Sequence, residues 1–258
     1  HNRRPHRYDA ELHDPIYRAW ARAADGVIHH SRWGEQRMRN DLPYRDDAVH
    51  AVIAHGHYGE QMKLDVARAE LEREMHLPPC RVRFGLVGRA QPEKRVDMIL
   101  RAFAAAGREG HQMLAASLGP EEQAPDDPRI VPMPRPADRM LTRAEIARQA
   151  NVCDVLVCAQ TGDCYLTSGQ VADAVGVGAA MIVGEWGFFR DVLGDAAIFF
   201  DGTEQDLTRV FAEVTDEEIA RSRAGMAALA GELAWPRLAR RTLELLRQLG
   251  AARPDWAL

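Results

Sequence analysis

The stretch from Phe84 to Phe103 constrains this chain more than any other. Phe84 to Val87 is the apolar run of a strand buried on both faces, Gly88 supplies a turn, and Val96, Ile99, Leu100 and Phe103 recur at helical spacing. A strand that passes directly into a helix returns to its sheet by a crossover and runs parallel to its neighbours. The alternation continues downstream. It predicts strands at 82–87, 112–118, 129–132, 153–158, 180–184 and 196–200, with helices at 93–106, 142–149, 168–177, 188–193 and after 203. Strands separated by helices in this way define an α/β fold with a Rossmann-like, doubly wound parallel sheet. Upstream, strands are expected at 25–31 and 48–54 and helices at 33–42 and 60–76, ending at the breaker Leu77-Pro78-Pro79. The acidic, proline-bearing segment 121–128 reads as a surface loop.

Within that frame, Arg89 and Lys94 fall on the loop and first helical turn at the carboxyl end of a strand, where open α/β sheets bind their ligands. An Arg fork and a Lys point charge there can neutralise a diphosphate, or can be ordinary solvated charges. Thr167-Ser168-Gly169 opens the helix after the strand ending at Cys158. Free backbone N–H groups at such a start suit a phosphate. From these three residues alone, a serine N-cap with a glycine for close packing is the favoured reading.

Composition narrows the class. With 46% hydrophobic residues, the 258-residue chain can bury a substantial core. A net charge of −5, with the cations dispersed among acids, argues against nucleic acid as a partner. The four cysteines, Cys80, Cys153, Cys158 and Cys164, lack close Cys-x-x-Cys pairs, so reduced structural thiols in a cytoplasmic protein are expected. No run of about 18 apolar residues is present to span a bilayer, which leaves peripheral membrane contact as the expected limit.

The segment holding Gly88-Arg89 and Pro92-Glu93-Lys94 resembles the element that opens the C-terminal domain of GT-B glycosyltransferases of the family 4 type. Asp154 to Cys158 followed by Leu166 to Gly178 is similar to the strand, loop and Ser-Gly helix of the same family. His1-Asn2 with Pro5-His6, Ala24 to Ser31, and Val52 to Tyr58 resemble three upstream words of a bacterial subgroup. The resemblance implies a GT-B fold in three parts: 1–76, the remnant of an N-terminal acceptor-side domain with its linker; 77–234, the nucleotide-sugar-binding domain; and 235–258, a terminal helix crossing back to the first domain. It implies an N-terminally truncated enzyme, inactive as this fragment, that moves a sugar from a nucleoside-diphosphate sugar to a hydroxyl of a glycan, glycolipid or secondary metabolite, with retention and without a metal or other cofactor. Gly88, Arg89, Lys94, Thr167, Ser168 and Gly169 would hold the donor pyrophosphate, Asp173 would face the ribose, and Asp191 would approach the donor or simply end a helix. His6 is the candidate catalytic residue, either taking the acceptor proton or binding sugar oxygens. His29, His30, His50, His57 and His111 receive no role.

The departures from the family pattern are equally specific. Where a Glu-x7-Glu pair is common, this chain has Tyr165 and Asp173; Arg95 stands where glycine is frequent, and Ala180 follows Gly178 in place of a proline. A nucleotide-sugar 2-epimerase or a non-catalytic nucleotide-binding module are the alternatives these departures leave open.

Overall fold

The structure, a computed structural model, describes residues 9–88, 92–116, 118, 124–133, 139–160 and 166–252. In chain order the elements are α1 (Ala10–Ala23), β1 (Gly26–His29), α2 (Arg32–Asp41), β2 (Val49–Val52), α3 (Gly59–Met62), α4 (Arg68–Glu74), β3 (Val82–Leu86), α5 (Val96–Ala106), β4 (His111–Ala115) and β5 (Ile130–Pro132). There follow α6 (Arg143–Asn151), β6 (Val155–Cys158), α7 (Gly169–Val177), β7 (Ala180–Gly184), α8 (Gly187–Leu193), β8 (Ile198–Phe200), α9 (Glu204–Glu213), α10 (Asp216–Glu232) and α11 (Trp235–Ala252). No helix among the described residues is long and apolar enough to cross a membrane. The chain divides into two compact units: His1–Gly56 with Gly162–Ser168 and Glu232–Leu258, and His57–Thr161 with Gly169–Gly231.

The larger unit is built on a six-stranded sheet ordered β5-β4-β3-β6-β7-β8, parallel throughout. Numbered within the sheet, this is the 3-2-1-4-5-6 order of doubly wound nucleotide-binding folds. Every residue of β3, β4, β6 and β7 is buried, as continuous apolar runs in a helix-covered parallel sheet require. Phe84 of β3, Phe103 of α5 and Phe211 of α9 meet edge to face, with ring centroids 5.2 to 5.9 Å apart. On β3 the fully buried Arg83 is held by Glu72, Gln112, and the carbonyls of Pro78 and Val152. Beside it, Asp154 accepts from the Arg83 backbone N–H at 2.8 Å, from Arg68 at 2.6 Å and from Arg223 at 2.7 Å. Burial works against the Asp154 charge, yet these donors hold its pKa below the usual carboxylate range.

Three elements differ from the sequence expectation. The helix expected over 60–76 is two, and residues 57–76 belong to the larger unit. The Met62 carbonyl, which a continuous helix would use four residues on, instead accepts from Asn151 Nδ2 at 2.6 Å, and Lys63 leaves in extended conformation. The helix expected over 93–106 begins as a 3-10 turn at Pro92–Lys94 and is interrupted by Arg95, whose φ of 51° and ψ of 43° lie in the left-handed region. That conformation favours glycine; here Arg95 Nη1 donates to the Gly202 carbonyl at 2.7 Å, which offsets part of the strain. Helix α1 was not expected; the Asp9 carboxylate caps it, accepting from the Glu11 and Leu12 N–H groups.

The smaller unit pairs β1 with β2 in parallel, Gly26 opposite Val49 through His29 opposite Val52. Arg241 of α11 donates to the Val52 carbonyl at 2.6 Å, and α11 buries Leu238, Leu245 and Leu249. Among the described residues, imidazoles fill part of its interior. Burial lowers the pKa of His29 to about 4, with His50 and Arg39 adding to the effect, and it lowers His30, His50 and His55 as well.

Two outcomes follow from this packing. A Cβ on Gly85 would collide with Cys153 Sγ and lie 3.1 Å from the Leu156 side chain, so Gly85→Ala is expected to destabilise the larger unit by about 1–3 kcal/mol in urea unfolding. The histidines set the second. Their folded pKa values lie below the unfolded value near 6.5, so below that pH the unfolded chain binds more protons; stability is complete above pH 6.5 and is lost as pH falls toward 4. Amide exchange in β1 and β2, corrected for intrinsic rates and measured with chelator present, should lose protection between pH 7 and pH 5; equal protection would contradict the neutral-imidazole core.

Candidate functional site

The strand order reverses between β3 and β6, and in open α/β sheets this switch point opens the crevice in which ligands bind, beyond the carboxyl ends of the strands. Val87 and Gly88 leave β3 there. Gly88 has φ of +97°, a conformation that favours glycine, and the Lys94 ammonium folds back over it, 3.6 Å from where a Cβ would stand. Lys94 ends the 3-10 turn that follows, so its charge is returned to the strand end by the same break that Arg95 creates.

Helix α7 supplies the opposite wall within the same unit. Gln170, in its first turn, donates from Nε2 to the Val87 carbonyl at 3.2 Å and accepts at Oε1 from Cys158 Sγ at 3.2 Å. One side chain therefore fastens the start of α7 to the ends of both β3 and β6. A Cβ on Gly169 would meet no described atom within 4 Å, so Gly169 is not required by packing. The first N–H groups of a nine-residue helix have no intrahelical acceptor. The preceding Thr167 and Ser168 are buried, and Thr167 Oγ1 has no hydrogen-bond partner among the described residues. A buried hydroxyl without a partner costs about 1–3 kcal/mol unless something satisfies it.

Asp173 lies one turn further along α7. Its Oδ1 accepts from Arg143 Nη1 at 2.7 Å, and the Arg143 guanidinium sits 4.3 Å above the Tyr58 ring. Burial pushes the Asp173 carboxyl up, against the pull of Arg143 and Lys94. Lys94 thus stands beside the Gly88 turn and within electrostatic reach of Asp173 on α7. Arg143 carried no signal in the sequence beyond following the capping box of Thr142 and Glu145, and Gln170 none beyond its place in a helix start. Both contacts join residues far apart in the chain.

Asp191 is exposed on α8, in the loop region where Glu185 and Arg190 pair and Trp186 packs on Phe188 and Phe189. His6, Arg89 and Tyr165 lie outside the described residues. A cleft of about 690 Å³ between α3, α7 and α10, lined by His57, Lys63, Asp65 and Val177, contains none of the predicted donor residues. The strand ends, with a cation and a helix N-terminus, have the chemistry for an anion; the cleft has mainly apolar walls.

No protein-family model matches the chain, and no curated protein matches it. Solved structures do. Sucrose-phosphate synthase from Thermosynechococcus elongatus superposes with a TM-score of 0.72 at 17% identity, over 95% of this chain and 63% of that one. HepE of Anabaena, solved in complex with UDP and glucose, gives 0.75 at 14% identity, over 95% of this chain and 69% of that one. A glycosyltransferase from Rickettsia africae gives 0.71 at 10% identity, over 95% and 68%. The chain thus has the GT-B-type fold, and it spans 63% of the length of the sucrose-phosphate synthase it matches.

The open space at the start of α7 has a direct consequence. Gly169→Ala should leave the free protein within about 0.5 kcal/mol of the parent, or slightly stabilise it by restricting the unfolded chain. A loss of several degrees in Tm would show that packing requires the glycine after all.

Proposed function

We propose that the protein is a GT-B glycosyltransferase of the family 4 type that takes a nucleoside-diphosphate sugar as donor and transfers the sugar, with retention, to a hydroxyl of a glycan, glycolipid or secondary metabolite. The observation that carries this reading is the meeting of Gly88 and Lys94 with the open, Gln170-fastened start of α7 at the switch point of the sheet. Two anionic phosphates between an ammonium and free helical N–H groups are stabilised from both sides. Stabilisation that grows as the diphosphate departs with its charge lowers the barrier to breaking the glycosidic bond. HepE, with the same fold, binds UDP-glucose, which supports a donor of this class.

In this reading Arg89 completes the cationic side, and Thr167, Ser168 and Gly169 form the phosphate-facing start of the helix. Asp173, with one oxygen committed to Arg143, offers the other to the ribose. Asp191 approaches the donor from α8, and His6 meets the acceptor hydroxyl or the sugar. The phosphate charge is balanced by protein groups, so the transfer as proposed proceeds without a bound metal. A cytoplasmic setting, with at most peripheral membrane contact for a lipid acceptor, fits a soluble donor.

Titration calorimetry with a panel of nucleoside diphosphates tests the assignment. Lys94→Ala and Arg89→Ala should each weaken binding by about 1.5–3 kcal/mol, the range for charge-assisted hydrogen bonds, with the circular dichroism spectrum unchanged. Gly169→Val should remain folded and lose binding by filling the space a phosphate needs. Unchanged affinity in all three variants would sink the donor site; sugar transfer from one donor of the panel would identify the base.

A further inference from the structure

His29, His50 and Glu35 lie in the smaller unit and belong to no part of the proposed donor site. His29 and Val27 project from the same face of β1, and Val27 is the register partner of His50 on β2, so the two histidines are diagonal neighbours on one face. His29 Nε2 and His50 Nδ1 are 2.8 Å apart, and their rings are nearly parallel at 7°. Glu35, on the first turn of α2, brings a carboxylate to the same place: ligand atoms of all three residues lie within 4.8 Å of one another. Tyr44 stands edge-on to both imidazoles, with centroids 4.9 Å from His50 and 6.4 Å from His29, and closes one side.

We propose that these three side chains form a site for a transition-metal ion of the zinc class, which clips β1, β2 and α2 together. Two imidazole nitrogens and a carboxylate oxygen are a three-protein-ligand set suited to zinc, and imidazole disfavours magnesium and calcium. Tetrahedral zinc places its ligand atoms about 3.3 Å apart, from bonds of roughly 2.0–2.1 Å to nitrogen, so the imidazole pair must open by about half an ångström. Each ring carries its proton on the outer nitrogen when both lone pairs turn inward, so the neutral pair binds the ion without net loss of a proton. Arg39 is the competing cation: its Nε is 3.1 Å from Glu35 Oε1, but its side chain is half exposed and can turn to solvent. The ion has structural work here, since it would join two strands and a helix of the smaller unit at one point.

Chelator-treated protein titrated with Zn²⁺ at neutral pH should bind one equivalent and rise in Tm, and Co²⁺ should give the intense visible absorption of a four-coordinate ion. His50→Ala and Glu35→Gln should each weaken Zn²⁺ binding at least about tenfold. Arg39→Gln should tighten it severalfold by releasing Glu35, an effect no merely structural imidazole pair would produce. The wild-type titration needs no variant to fold. Absence of stoichiometric binding, a six-coordinate Co²⁺ spectrum, or Zn²⁺ affinity indifferent to both His50→Ala and Arg39→Gln would each overturn the site.

Discussion

The buried guanidinium of Arg83 is the interaction on which the larger unit turns. It sits on the strand beside the switch point with no exposure to solvent, and its fork reaches Glu72 of α4, Gln112 of β4 and the Pro78 and Val152 carbonyls. Its own backbone N–H is bound by Asp154, which leads into β6 and also holds Arg68 and Arg223. Charges removed from water are costly unless every donor and acceptor is matched, and removing one member of a buried set leaves the rest uncompensated. The network therefore specifies as much as it stabilises. It fixes β3 beside β6 and β4 at their amino ends, and so determines where their carboxyl ends open.

At those carboxyl ends the same two strands are joined by a second device of lower charge. Gln170 ties Val87 and Cys158 to the first turn of α7, while Lys94 is folded back over Gly88 by the left-handed turn at Arg95. A helix start and a lysine held at one strand end have the chemistry to receive an anion, since fixed protein dipoles need no rearrangement when charge arrives. Asp173 is held by its neighbours: Arg143, stacked on Tyr58, fixes its orientation and works against the effect of its burial.

The smaller unit is organised differently. Its two strands are mostly half-buried, and the His29 and His50 imidazoles stack among their aliphatic side chains. Desolvation keeps them uncharged near neutrality, which makes this unit sensitive to acid; the larger sheet has a buried imidazole of its own in His111 of β4, whose pKa burial likewise lowers to about 4.

The sequence by itself determined the alternation of buried strands and helices, the parallel sheet that follows from it, and the glycine turn, lysine and helix start at the carboxyl ends of β3 and β6. These are local patterns: burial on two faces reads as an unbroken apolar run, and a left-handed turn or helix start reads within a few residues. Tertiary structure alone decided the rest. The break after Met62 depends on Asn151, the anchoring of α7 on Gln170 reaching Val87, the state of Asp173 on Arg143, and the imidazole pair on strands that meet in parallel. Each of these joins partners 21 to 89 residues apart. No periodicity connects such partners, because the distance between them is set by the crossovers of the fold and not by the spacing of the chain.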